Sequence, residues 1–227
     1  VEVVRMGQAE ALMKGSLHTD ELMSEVVARD TGLRTARRIS HCFIMDVPGH
    51  EDTLIITDAA VNVAPTLEEK VDIVQNAIDL AHAIGIAEVR VAILSATETV
   101  SPKVPSTIEA AALCKMADRG QITGAILDGP LALDNAISLE AAHIKKIDSP
   151  VAGRANVLVV PDVEAGNMLA KSLTFLAGAD AAGVVLGARV PIILTSRADS
   201  VLARLASCAV AVLVAKARRE QAARAVS

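Results

Sequence analysis

Tryptophan and tyrosine are absent from the 227 residues, and phenylalanine occurs only twice. Without aromatic platforms the chain cannot bind single-stranded nucleic acid by base stacking. A surplus of positive charge is also missing. The formal net charge is −5, which offers no basic surface to a polyanion and excludes nucleic acid as a partner. Any anion must therefore be held locally. Cysteine is sparse: Cys42, Cys114 and Cys208 lie far apart in apolar surroundings, with no CxxC and no Cys/His ligand spacing. That pattern argues against a metal site and fits reduced thiols in a cytoplasmic protein. The most apolar window, Leu202 to Ala215, is too short to span a bilayer and carries Arg204. No secretory leader pattern is visible. The chain opens at Val1 inside a helix-like pattern without an initiator methionine, as expected of a fragment of a longer polypeptide.

Common signatures are missing too. There is no GxxxxGK[ST] run, no GxGxxG after a strand, no HExxH and no GxSxG elbow. What remains is 52% hydrophobic residues, dominated by small and branched aliphatics. Such composition suits layers of helix on sheet in close approach. Apolar runs of strand length alternate with amphipathic stretches of helix length, the rhythm of βα units and a mainly parallel sheet. The pattern predicts helices over 1–11, 20–29, 67–84, 107–119, 139–145, 164–177 and 199–219. It predicts strands over 11–14, 39–47, 53–57, 89–94, 124–127, 156–160, 182–186 and 192–195. Thr19 or Asp20 would cap the second helix, and Asp199 or Ser200 the last. Basic residues 32–38 lack apolar periodicity and read as a crossing between lobes, with residues 187–190 as the return. The expected architecture is α/β in two lobes, with 1–37 plus 187–227 forming one and 38–186 inserted as the other. A cleft would lie between them.

In open parallel sheets, ligands bind where strands end and helices begin. Here six predicted strands each run into hydroxyls, amides or carboxylates. They are Gly15-Ser16-Leu17-His18-Thr19, Thr57-Asp58 with Asn62, Ser95-Ala96-Thr97-Glu98, Asp128 with Asp134 and Asn135, Asp162 to Asn167 including Glu164, and Thr195-Ser196-Arg197. Each alone reads as turn and cap chemistry. Six in succession imply a lined cleft for something polar and anionic. Arg197 offers a planar fork of donors matched to phosphate or carboxylate, beside a helix start that favours negative charge.

Five of these blocks occur in an order that carries a resemblance. They are Lys14 to Thr19, Thr57 to Thr66 (TDAAVNVAPT), Asp128 to Ala136 (DGPLALDNA), Pro161 to Asn167 (PDVEAGN) and Thr195 to Ser200 (TSRADS). Together they resemble the phosphate acetyltransferase/phosphate butyryltransferase family across essentially the whole chain. The GPLALDNA block is more similar to the butyryltransferase-like branch, some of whose members are fused to an enoyl-CoA hydratase domain. The resemblance implies transfer of a short acyl group, acetyl or butyryl, between CoA and inorganic phosphate, without metal or a permanently bound cofactor. It implies a fold similar to isocitrate and isopropylmalate dehydrogenases, and a homodimer. An N-terminal portion of the family, with further strands of the first lobe, has no counterpart here.

By that resemblance Ser196 and Arg197 belong to the active site. The family's downstream aspartate, which helps deprotonate the CoA thiol, is replaced by Ala203. Asp199 is then the nearest carboxylate for the base. Ser16, His18, Thr19 and Arg197 would hold the phosphoryl group, with His18 as donor or base. Asp58, Asn62, Asp134, Asp162, Glu164 and Asn167 would line the cleft on the CoA side. Three other readings remain: an acyl carrier protein-linked phosphate acyltransferase of related fold, a metal-dependent dehydrogenase, and a non-catalytic CoA- or acyl-phosphate-binding scaffold. The first would need a basic docking patch. The second would need an organised aspartate cluster, which Asp58, Asp134 and Asp162 do not provide.

Overall fold

A computed structural model describes residues 1–194 and 199–226. Eight strands form one sheet flanked by helices. The strands are β1 (Leu12–Met13), β2 (Ser40–Asp46), β3 (Leu54–Thr57), β4 (Arg90–Leu94), β5 (Ile126–Leu131), β6 (Val157–Val159), β7 (Asp180–Leu186) and β8 (Ile192–Ile193). The helices are α1 (Glu2–Arg5), α2 (Thr19–Val27), α3 (Leu67–Ala83), α4 (Pro105–Asp118), α5 (Leu133–Ile137), α6 (Leu139–Ile144), α7 (Val163–Leu176) and α8 (Val201–Val226). Sheet order is β1-β8-β7-β2-β3-β6-β4-β5. β3, β6, β4 and β5 run parallel, as do β1 and β8, while β2 is antiparallel to both its neighbours and β8 is antiparallel to β7.

Apolar side chains alternate along β2 and so feed both faces. Cys42, Ile55, Val157 and Val184 build one core layer under α3 and α4, while Met45, Ile56, Ala92 and Leu158 build the other with α5, α6 and α7. A third cluster of Val4, Val26, Leu33, Val185 and Ile192 gathers around β1, β8 and α2. Two close approaches hold the layers in place. Gly166 lets α7 press onto the turn after β3, because a Cβ there would meet the Asp58 carbonyl at 2.9 Å. Gly187, at φ +84°, lies where a Cβ would stand 2.1 Å from the Arg38 carbonyl, so the outgoing and return crossings touch backbone to backbone.

Several boundaries differ from expectation, each for a local reason. The first helix stops at Arg5, not residue 11, since Met6–Gly7 closes it with a Gly7 N–H to Val4 C=O bond of 3.0 Å. His18, rather than Thr19 or Asp20, is the N-cap of α2, and its backbone N–H donates to Glu21 at 2.8 Å. β5 extends through Asp128-Gly129-Pro130, past the end expected at residue 127. As an edge strand it tolerates a proline where pairing with β4 becomes irregular. Ser200 rather than Asp199 supplies the cap at the start of α8, its hydroxyl accepting the Ala203 N–H at 3.0 Å.

Candidate functional site

A cavity lies beside β7 near the end of β8. β2 and β7 pair over their full length, from Ser40↔Leu186 to Asp46↔Asp180. Among the described residues β8 pairs with β7 only through Val185↔Ile192. The Gly183 N–H of β7 donates to the Ser207 hydroxyl of α8 at 3.0 Å. The cavity, of ≈ 600 Å³, lies between this stretch, α7 and the start of α8. Its floor is Phe43, Ala181 and Gly183. Its walls are Asn167, Lys171 and Thr174 on one side, with Leu194, Asp199, Ser200 and Ala203 on the other.

β1 and β8 are parallel neighbours, with Met13 opposite Ile193 and the Lys14 N–H bonded to the Ile193 carbonyl at 2.9 Å. The loop holding Ser16, His18 and Thr19 therefore leaves the sheet beside the chain leaving β8. All three of these residues are exposed, and none of them lines the cavity. Ser196 and Arg197 lie outside the described residues. Asp199 is half-buried in the cavity wall, and Asn167 faces it from α7, its side-chain N–H donating to the Ala59 carbonyl at 3.3 Å.

The remaining candidates are not brought into that cavity. Asp58 is buried and receives the backbone N–H groups of Ala60, Val61 and Asn62 at 2.9–3.2 Å, plus the Asn62 side chain at 2.5 Å. Asn62 also donates to the Ile39 carbonyl and accepts from Arg38 Nε at 2.8 Å. This pair pins a turn. Asn62 lines a separate ≈ 630 Å³ cavity between α2 and α3, beside Arg34, Arg37, Arg38, Glu68, Glu69 and Asp72. Asp162 caps α7 through the Ala165 N–H at 2.8 Å, and Glu164 is exposed in the first turn of that helix. Asp134 is exposed and paired with Lys145 at 3.0 Å, which holds its carboxyl below the usual range. It follows β5, six strands away from β8 in the sheet order, so at about 4.8 Å per strand it stands roughly 29 Å off.

Sequence reading passed over Lys171, Thr174 and Ser207. The signal was available for the first two, since Asn167, Ala170, Lys171 and Thr174 share one helical face at i, i+3, i+4 and i+7. His41 is 2% exposed on β2, next to the Cys42↔Thr57 pair and hence beside Asp58. Its ring packs edge-on against Phe43 of the cavity floor at 4.4 Å between centroids, and its Nδ1 has no hydrogen-bond partner among the described residues. Burial lowers its pKa, outweighing the opposing fields of Asp58 and Asp199, so the imidazole is neutral. Burial also pushes the Cys42 and Cys114 thiols up to about 12. Neither is a nucleophile at neutral pH. Among the described residues no group of three or more His, Cys, Asp or Glu side chains could hold a metal ion. No described helix is long and apolar enough to cross a membrane.

A family model described as Phosphate acetyl/butaryl transferase matches residues 1–212. A phosphate acetyltransferase of Rhizobium meliloti is 74% identical over 219 residues, covering 96% of this chain and 69% of the relative. A phosphate butyryltransferase of Clostridium acetobutylicum is 45% identical over 215 residues, covering 95% and 71%. The chain spans 60–71% of the length of the curated relatives it matches. Among solved structures, a branched-chain phosphotransacylase from Enterococcus faecalis V583 superposes with a TM-score of 0.86 at 36% identity, over 94% of this chain and 76% of that one. A 4-hydroxythreonine-4-phosphate dehydrogenase from Klebsiella pneumoniae reaches 0.51 at 12% identity, covering 94% and 67%, a likeness of fold alone.

Proposed function

The chain belongs to the phosphate acetyl/butaryl transferase family, and from that membership we propose that it catalyses acyl-CoA + phosphate ⇌ CoA + acyl phosphate with a short acyl group. The carrying observation is the ≈ 600 Å³ cavity in which Asp199, Ser200, Asn167 and Lys171 face one another, directly after the exit of β8. Residues 1–37 with 187–227 form one lobe and 38–186 the other, and the substrates meet where the lobes face each other. The protein works in the cytoplasm as a homodimer.

A CoA thiol titrates near a cysteine's value of about 8.5, so only a few per cent is thiolate at neutral pH. Asp199 accepts the thiol proton. The thiolate then attacks the acyl-phosphate carbonyl, forming the C–S bond as the C–O bond to phosphate breaks. Phosphate leaves with the bridging oxygen and takes up the proton. Ser196 donates to the developing oxyanion, a contribution of about 2.7–4 kcal/mol where such donors have been removed. Arg197, Ser16, His18 and Thr19 hold the phosphoryl oxygens. Lys171, exposed on the cavity wall, attracts the phosphate-rich end of CoA. Cys42 and Cys114, with thiols near 12, are no use as covalent carriers, which favours direct attack.

The decisive assay is phosphate-dependent thiol release from acetyl-CoA, repeated with butyryl-CoA. Asp199→Asn is expected to lower kcat by about 10²-fold or more while melting as the parent does. Arg197→Ala is expected to raise KM for phosphate and lower turnover. No phosphate-dependent release from either thioester would leave a CoA-binding scaffold as the function. Full turnover in Asp199→Asn would remove Asp199 as the base.

A further inference from the structure

The two crossings between α2 and β2, and between β7 and β8, lie against each other. Arg34 bridges Ala188, the Thr35 hydroxyl donates to the Gly187 carbonyl at 2.6 Å, and the Arg189 N–H donates to the Leu33 carbonyl at 2.8 Å. α8 reaches the same place. Arg218 Nη1 donates to the Ala188 and Arg189 carbonyls at 3.0 and 3.1 Å. A shallow cavity of ≈ 310 Å³ opens here, lined by Arg37, Arg189 and Arg218 together with Thr35, Asn76 and Asp79. It shares no lining residue with the ≈ 600 Å³ cavity.

Three guanidinium groups face one carboxylate, and that carboxylate is already engaged. Asp79 accepts from Arg37 at 3.3 Å and from Gln75 at 3.0 Å. Among the described residues Arg189 has no side-chain partner, and half-buried Arg218 meets only carbonyl oxygens. One shared carboxylate, already bonded to Arg37 and Gln75, leaves three guanidinium groups undercompensated around one recess, with Arg189 exposed at its rim, and arginine's fixed fork matches a phosphate there. Desolvation depresses the Arg218 pKa, opposed by the field of Asp79 and assisted more weakly by that of Arg37. We propose that Arg37, Arg189 and Arg218 form a binding site for a small phosphate-bearing anion, which ties the two crossings to α8 at a place separate from acyl transfer. The Thr35 hydroxyl is spent on Gly187, so the contacts to the anion are the three guanidinium groups.

Inorganic phosphate is the probe, titrated calorimetrically into the whole protein at constant ionic strength set with chloride. The parent is expected to show a class of sites that weakens by about 10-fold or more in Arg189→Gln, with the unliganded melting temperature unchanged. Arg218→Gln should weaken it further, and its melting temperature reports any loss of the two carbonyl bonds. A transfer site, if present, remains as a second class in Arg189→Gln, so failure of the acyl-transfer reading leaves this result intact. KM values for CoA and for CoA lacking its 3′-phosphate distinguish the source of the anion. A rise confined to intact CoA in Arg189→Gln assigns the site to that phosphate, and unchanged KM values with weakened phosphate binding assign it to a free anion. Phosphate binding and both KM values identical in the parent and Arg189→Gln would overturn the proposal.

Discussion

His41 is a neutral imidazole whose Nδ1 has no partner among the described residues, set between Asp58 and the floor of the cavity. Its folded pKa is depressed below 6.5 by burial, so the unfolded chain binds the proton more readily. Stability contributed by the neutral form is therefore full above about 6.5 and declines as pH falls toward the folded value, by at most about 1.4 kcal/mol per pH unit. Replacing it with Phe removes this dependence. Denaturant unfolding at pH 7.0 and 5.5 should show a larger loss in the parent than in His41→Phe, and equal losses would place the acid sensitivity elsewhere. Residues such as Asp199 and Asn167 were legible in sequence because polar groups after apolar strands are conspicuous. His41 was not, since a histidine inside an apolar strand leaves no pattern that separates a packed ring from a functional one. Asp58 and Asn62 were conspicuous for another reason. The chemistry that suits a ligand also suits a buried turn, and here the turn takes all of it.

Among the elements, α3 shows how a short signal fixes a boundary. The Thr66 hydroxyl accepts the Glu69 N–H at 3.3 Å, and the Glu69 carboxylate accepts the Thr66 N–H at 2.9 Å. Glu69 also pairs with Arg38 at 2.8 Å, so the cap orders the outgoing crossing as well as the helix. Thr66→Ala should lower unfolding free energy by about 1 kcal/mol, read as a shifted denaturant midpoint at constant slope. Helices of 14–17 residues such as α3, α4 and α7 were readable because apolar spacing repeats over several turns. α5, at five residues, is too short for a period to register, while the four-residue α1 registers as a helix expected to run on to residue 11. The direction of β8 was invisible for a related reason. Two residues cannot announce antiparallel pairing, and the six strand-end clusters looked alike although they leave the sheet in opposite senses.

At the scale of the whole molecule, one sheet carries strands from both segments assigned to the first lobe and all those of the second. Its integrity depends on the contact between crossings. Gly187→Ala would put a methyl into the Arg38 carbonyl at a backbone angle that side chains disfavour. A loss of roughly 2–4 kcal/mol is expected, measurable as a fall in melting temperature, with hydrogen exchange quickening first at residues 33–38 and 187–190. Unchanged stability would mean the crossings separate easily. The layered α/β plan was legible from alternation alone, whereas the meeting of two basic crossings with α8 joins residues more than 150 positions apart and had no local trace.

The brevity of β8 has one more consequence. An insertion extending β8 by two or three apolar residues would let it zip along β7 and supplant the Ser207 hydroxyl, which the Gly183 N–H now uses. The socket would then be filled from within by the protein's own ladder. An open recess and a complete sheet are thus rivals for the same few ångströms at this edge, and a tighter fold here would close the cavity lined by Asp199 and Asn167.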